Sequence, residues 1–110
     1  MKIAIIGGGG WGLALAKLLF ENNNEILLWE YNPDFLDKLK KTHSNPLLLP
    51  DIILPSEISF TGDFFDLVRF HPEIIILAIP TQYIRSTLQS IPEEAQKDLW
   101  NPEQLFAIVN

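Results

Sequence analysis

Gly7, Gly9 and Gly12 stand in the spacing G-x-G-x-x-G within the run Met1-Lys2-Ile3-Ala4-Ile5-Ile6-Gly7-Gly8-Gly9-Gly10-Trp11-Gly12. Bare backbone in that spacing suits the binding of a phosphate chain. The first glycine permits a tight turn, the second lets the backbone approach the phosphates, and the third lets a helix pack closely on a strand. Free N–H groups at the start of the helix, with the positive end of its dipole, then hold the anion. The bare motif fits a ligand-free turn equally well, so its context has to decide. Eighteen residues past Gly12 stands an acid, Glu30. In a strand, helix, strand unit a carboxylate at that point accepts hydrogen bonds from the adenosine ribose hydroxyls of a dinucleotide and repels a 2′-phosphate. The plainer reading of Glu30 is a solvated carboxylate at a strand end.

The flanking residues supply that frame. Lys2 to Ile6 is β-branched and apolar without alternation, as a strand covered on both faces requires. Trp11, Leu13, Ala14, Leu15, Leu18 and Leu19 then recur at helical spacing to about Glu21. Asn22-Asn23-Asn24 marks a turn, asparagine being tolerant of the left-handed conformation that ends many helices. Glu25 to Glu30 is the second strand. The three elements make a βαβ unit with parallel strands.

Farther along, Asn32-Pro33-Asp34 reads as an N-cap, a first-position proline and a first-turn acid, opening a helix to about Lys41. Thr42 to Ser56 reads as a proline-interrupted loop, too apolar to be free in solvent. Ile58 to Phe60 is a short strand, Asp63 to Phe70 a helix, and Ile74 to Ile79 a buried strand stopped by Pro80. Thr81 to Ser90 is helical, Pro92 to Trp100 an amphipathic connection without clear form, and Leu105 to Val109 a last strand. The expected fold is α/β, a Rossmann-like, doubly wound, mostly parallel sheet of about five strands, truncated, in one domain over residues 1–110.

Composition narrows the function classes. The chain has 110 residues, 47% hydrophobic and 20% charged, with a formal net charge of −6. No basic cluster is present to draw in a phosphate backbone, so nucleic acid is not an expected partner. The absence of cysteine excludes disulfides, thiolate zinc sites and cysteine nucleophiles and fits a cytoplasmic protein. The longest apolar run, Ile74 to Pro80, is too short for a membrane span, and Ile3 to Ile6 is too short for a signal peptide core. His43 and His71 read as solvated turn residues. Asp63, Asp66, Glu93, Glu94 and Glu103 read as helix-start acids, not metal ligands, and Trp29, Phe35, Phe60, Phe64 and Phe65 as core.

The glycine run with Trp11 before the last glycine resembles the NAD(P)-dependent glycerol-3-phosphate dehydrogenases. Leu28-Trp29, the segment from Asn45 through Leu49-Pro50-Asp51-Ile52-Ile53-Leu54-Pro55, and Ala78-Ile79-Pro80-Thr81-Gln82-Tyr83-Ile84-Arg85 are similar to that family's segments in order and spacing. The resemblance implies a cofactor site of Gly7, Gly9, Gly10, Trp11, Gly12, Glu30, Tyr31, Pro80 and Tyr83. It also implies reversible hydride transfer between the nicotinamide cofactor and glycerol 3-phosphate or dihydroxyacetone phosphate.

Three residues depart from the family pattern. Gly10 stands where serine or asparagine is usual, and Asp51 replaces a common glycine. Tyr31 stands where NADP-using members often carry arginine, so NAD(H) is expected over NADP(H). The resemblance implies a catalytic lysine just after the strand Leu105 to Val109 and further residues from a helical C-terminal domain, neither of which occurs before Asn110. The resemblance therefore implies the cofactor-binding part of a longer enzyme of glycerophospholipid metabolism, inactive by itself, with any homodimer formed through the other domain. Two alternatives stay open at this point, a stand-alone NAD-binding regulatory module and a related dehydrogenase of another hydroxy or keto acid.

Overall fold

A computed structural model describes residues 1–45, 47, 49–99 and 105–108, with 49–50 and 105–108 described by backbone alone. Five strands, β1 (Lys2–Ile6), β2 (Glu25–Trp29), β5 (Ser59–Thr61), β6 (Ile74–Leu77) and β7 (Leu105–Ile108), form one sheet in the order β5-β2-β1-β6-β7. Every pairing in it is parallel. The connections are α1 (Gly10–Glu21), α2 (Pro33–Thr42), α3 (Phe64–Phe70), α4 (Thr81–Gln89) and α5 (Glu93–Leu99). The expected doubly wound sheet is therefore present. Its order reverses between β1 and β6, and ligand crevices form at such a reversal, outside the carboxyl ends of the strands.

A parallel sheet needs cover on both faces, and the unbroken apolar strands provide two cores. Ile3, Ile5, Ile26, Leu28, Phe60 and Ile76 face one way and pack with Leu13 and Ala16 of α1 and Leu39 of α2. Ala4, Ile6, Leu27, Trp29, Ile75 and Leu77 face the other and pack with Phe64 and Leu67 of α3 and Ala95 and Leu99 of α5. Trp11 and Leu18, counted by spacing on the buried face of α1, are 63% and 54% exposed. The true inward stripe is Gly12, Leu13 and Ala16, of which Gly12 and Ala16 are small enough to bring the helix close to the strands.

Helix ends follow their local chemistry. Asn32 Oδ1 accepts from the Phe35 N–H at 3.1 Å, and Asp63 Oδ1 accepts from the Phe65 N–H at 2.9 Å. Asn23, His43 and His71 adopt the left-handed conformation, at φ 66°, 52° and 53°. His43 corrects the expectation of a solvated turn residue. It is half-buried, its ring meets the edge of Phe60 at 5.0 Å, and its Nδ1 is buried without a partner among the described residues.

The stretch after α2 also differs from the expected loop. Ser44–Asn45 (β3) and Leu49–Ile53 (β4) pair antiparallel with a register shift. Leu54 is buried and Ile52 half-buried against the first core, as an apolar segment should be. Leu47 and Ile53, however, are 92% and 75% exposed. Asp51 sits at φ 62°, in the left-handed region, which gives a physical reason for glycine being common there. β6 stops at Leu77, two residues earlier than expected, and the connection after Pro92 forms α5. Trp100, Glu103 and Val109 lie outside the described residues.

Candidate functional site

At the sheet reversal the backbone of the glycine loop is dictated by what surrounds it. Gly7 has φ +128°, and a Cβ there would lie 2.3 Å from the Ala78 carbonyl oxygen. A Cβ on Gly12 would lie 1.9 Å from the Gly7 carbonyl oxygen, so α1 can approach β1 only without a side chain. Gly9 differs from both. No atom comes within 4 Å of where its Cβ would be, and its φ of −73° and ψ of −176° suit any residue. Neither close packing nor backbone conformation demands a glycine there, and its bare Cα faces open space.

That space is a cavity of about 590 Å³ lined on one side by Gly7, Gly8 and Gly9. Glu30 and Tyr31 close the end beyond β2, Ala78, Ile79 and Pro80 the side beyond β6, and one face of α4 forms the opposite wall. Gly9 is the N-cap of α1. No side chain caps the helix and no acid stands in its first turn. The first-turn N–H groups therefore keep their capacity for an anion.

The strand ends hold these pieces in register. The Gly7 N–H donates to the Trp29 carbonyl at 2.8 Å, the Ala78 N–H to Ile6 at 2.9 Å, and the Glu30 N–H to Thr61 at 2.9 Å. Glu30 is not the solvated carboxylate of the plainer reading. Its Oε1 accepts from the Gly8 N–H at 2.9 Å and its Oε2 from the Asn32 N–H at 2.8 Å.

Of the residues expected at the site, Gly7, Gly9, Glu30, Tyr31, Pro80 and Tyr83 line the cavity. Gly10 and Trp11 occupy the first turn of α1 without lining it, and Gly12 lies buried beneath Gly7. Tyr31 is 77% and Tyr83 55% exposed, so two aromatic rings flank the opening. The sequence reading missed Gly8, Ala78, Ile79, Ser86, Thr87 and Ser90. Helical spacing could have found the last three, since 83, 86, 87 and 90 fall on one helix face.

The charge is one-sided. Glu30 is the only acidic side chain among the described lining residues, and no lysine or arginine is among them. Tyr31 and Tyr83 offer hydroxyls, as do Ser86, Thr87 and Ser90. The hydroxyls of Ser86 and Ser90 donate to the carbonyls of Tyr83 and Thr87 and keep lone pairs to accept from a ligand. Such a cavity suits a ligand with hydroxyl-bearing rings at its ends and an anionic centre seated on backbone N–H groups. No three His, Cys, Asp or Glu side chains among the described residues come together as metal ligands.

Comparison with known proteins agrees with this geometry. A family model described as NAD-dependent glycerol-3-phosphate dehydrogenase N-terminus matches residues 2–101. The glycerol-3-phosphate dehydrogenase [NAD(P)+] of Orientia tsutsugamushi is 39% identical over 95 residues, covering 86% of this chain and 28% of that protein. The enzyme of the same name from Fusobacterium nucleatum is 37% identical over 109 residues, covering 99% of this chain and 31% of that protein.

Among solved structures, glycerol-3-phosphate dehydrogenase from Coxiella burnetii superposes with a TM-score of 0.81 at 24% identity, over 97% of this chain and 31% of that one. A 2-dehydropantoate 2-reductase homologue from Enterococcus faecalis superposes at 0.71 and 18% identity, over 100% of this chain and 34% of that one. These likenesses are of fold. The chain thus spans about three-tenths of the length of the relatives it matches. With a motif, a fold and a family match over residues 2–101 in agreement, the chain belongs to the family of NAD-dependent glycerol-3-phosphate dehydrogenase N-termini.

Proposed function

We propose that this chain is the dinucleotide-binding domain of a glycerol-3-phosphate dehydrogenase and binds NAD(H) in preference to NADP(H). The observation that carries the reading is the open face of Gly9 above an uncapped helix start, in a cavity whose far wall is hydroxyl-bearing. The first turn of α1, with Gly9, Gly10 and Trp11, holds the pyrophosphate through backbone N–H groups. Glu30 and Tyr31 receive the adenosine ribose and its base, and Pro80 and Tyr83 flank the nicotinamide end. Gly7 and Gly12 shape the loop. A 2′-phosphate would meet the Glu30 carboxylate with no cation among the described lining residues, which supports the preference for NAD(H).

The bound cofactor supplies hydride chemistry, and this chain's residues bind and orient it. Relatives named glycerol-3-phosphate dehydrogenase support glycerol 3-phosphate and dihydroxyacetone phosphate as the small phosphorylated substrates of the whole enzyme. The family resemblance places the residues that move the proton in the other part of the whole enzyme. A cytoplasmic location, and a homodimer through that other part, complete the reading. No helix among the described residues is long and apolar enough to cross a membrane.

The test is amide mapping of the 15N-labelled chain with NADH. Shifts confined to residues 7–12, 30–32 and 78–90 support the reading. Shifts centred on a second depression, around Phe20, Asn24 and Pro55, would overturn it.

A further inference from the structure

The motif G-x-G-x-x-G leaves its second position free, yet that position here is Gly8. The reason lies across the cavity edge. A Cβ on Gly8 would sit 2.7 Å from Glu30 Oε1 and 3.2 Å from the Phe35 ring. Side-chain space at this position is already taken by the carboxylate that accepts from the Gly8 N–H. The same carboxylate accepts from the Asn32 N–H through its other oxygen. Glu30 thereby staples the loop after β1 to the loop after β2 through a pair of charge-assisted hydrogen bonds.

We propose that Glu30 is a positioning residue for the phosphate site, fixing the Gly8 peptide so that the N–H groups from Gly9 onward are aimed at the ligand. The proposal rests on the dinucleotide reading above and is separate from any contact between Glu30 and a ribose. The latch also removes the Gly8 N–H from the anion site, because a phosphate there would share that donor with a carboxylate. The phosphates are thus directed to the first turn of α1. Gly8 and Glu30 form a matched pair, in which a side chain at one place displaces the carboxyl of the other.

A ligand lacking the adenosine half separates the roles. Reduced nicotinamide mononucleotide, NMNH, has one phosphate and no adenosine ribose, so it cannot report a contact between Glu30 and that ribose. Removing a negative charge near a phosphate should by Coulomb's law strengthen binding. The latch predicts the opposite. With Glu30→Ala, NMNH affinity falls about fivefold or more, because the loop must be ordered on binding, and NADH affinity falls further. Amide exchange at Gly8 and Asn32 accelerates about tenfold or more while circular dichroism is unchanged. Gly8→Ala reproduces the NMNH loss with Glu30 still present, and Glu30→Gln, which keeps the volume and can accept at only one oxygen, carries the comparison should Glu30→Ala not fold.

Unchanged or tighter NMNH binding by a folded Glu30 variant, in a wild-type background that binds NMNH, would overturn the latch and leave the dinucleotide reading intact. A folded wild-type chain that binds neither NMNH nor NADH would overturn that reading, and the proposal with it.

Discussion

Gly9→Ala separates a glycine required by a ligand from one required by the fold. The added methyl meets no atom within 4 Å, and the residue already has φ −73° and ψ −176°. Alanine is a poorer N-cap than glycine by about 0.5–1 kcal/mol, and its less flexible unfolded chain returns about 0.4–1 kcal/mol. The net change in stability is then under about 1 kcal/mol, a shift of a few degrees in Tm. Binding responds differently, because the methyl occupies the approach of a phosphate oxygen to the helix start. Loss of one hydrogen bond to a charged group is worth about 1.5–3 kcal/mol. That is roughly a 10- to 150-fold rise in the Kd for NADH. The assay is a thermal melt beside an NADH fluorescence titration on the same preparation. A variant that binds NADH within about twofold of wild type would refute the placement of the phosphates, and a collapse in Tm would refute the open space.

The neighbouring glycines should behave in the opposite way. Gly7→Ala and Gly12→Ala each force a methyl onto a backbone oxygen, at 2.3 and 1.9 Å, and should cost about 3 kcal/mol or more, read as a fall in Tm of roughly 10 °C or more. Asp51→Gly should raise stability by roughly 0.5 kcal/mol in urea unfolding, because a left-handed φ of 62° strains a residue with a Cβ. Asp66 gives a pH dependence. The Thr61 hydroxyl donates to it at 2.5 Å and Arg69 at 2.6 Å, holding its carboxyl below the usual range. A lowered folded pKa contributes stability that is present above the unfolded value of 3.8 and lost as pH falls through the folded one. Asp66→Asn should therefore destabilise the chain at pH 7 and much less at acid pH, as followed by urea midpoints. Equal loss at both would contradict the pairing.

The sheet and its helices were legible because each strand and cap carries its own chemistry. Ile3 to Ile6 and Ile74 to Leu77 are unbroken apolar runs, and Asn32-Pro33-Asp34 spells a helix start. The β3–β4 hairpin was not legible. One of its strands has two residues, the other contains Pro50, and their register shifts, so no alternation marks them. Half of the lining residues were named from the sequence, Gly7, Gly9 and Glu30 by the spacing of the motif and Tyr31, Pro80 and Tyr83 by the family resemblance. Apart from Tyr83, the α4 wall was missed because Ser86, Thr87 and Ser90 look like ordinary solvent-facing residues until the fold turns that face toward the glycine loop. The two hydrogen bonds of Glu30 depend on how two loops meet, which no spacing encodes.

The measurement closest to the central claim is a pair of titrations of the folded 110-residue chain, with NADH and with NADPH, followed by tryptophan fluorescence or calorimetry. Saturable binding of both, tighter for NADH by about tenfold or more, is the predicted result, since a 2′-phosphate meets a carboxylate and no cation among the described lining residues. Tighter binding of NADPH, or no binding of either by a chain whose circular dichroism shows the α/β fold, would contradict it.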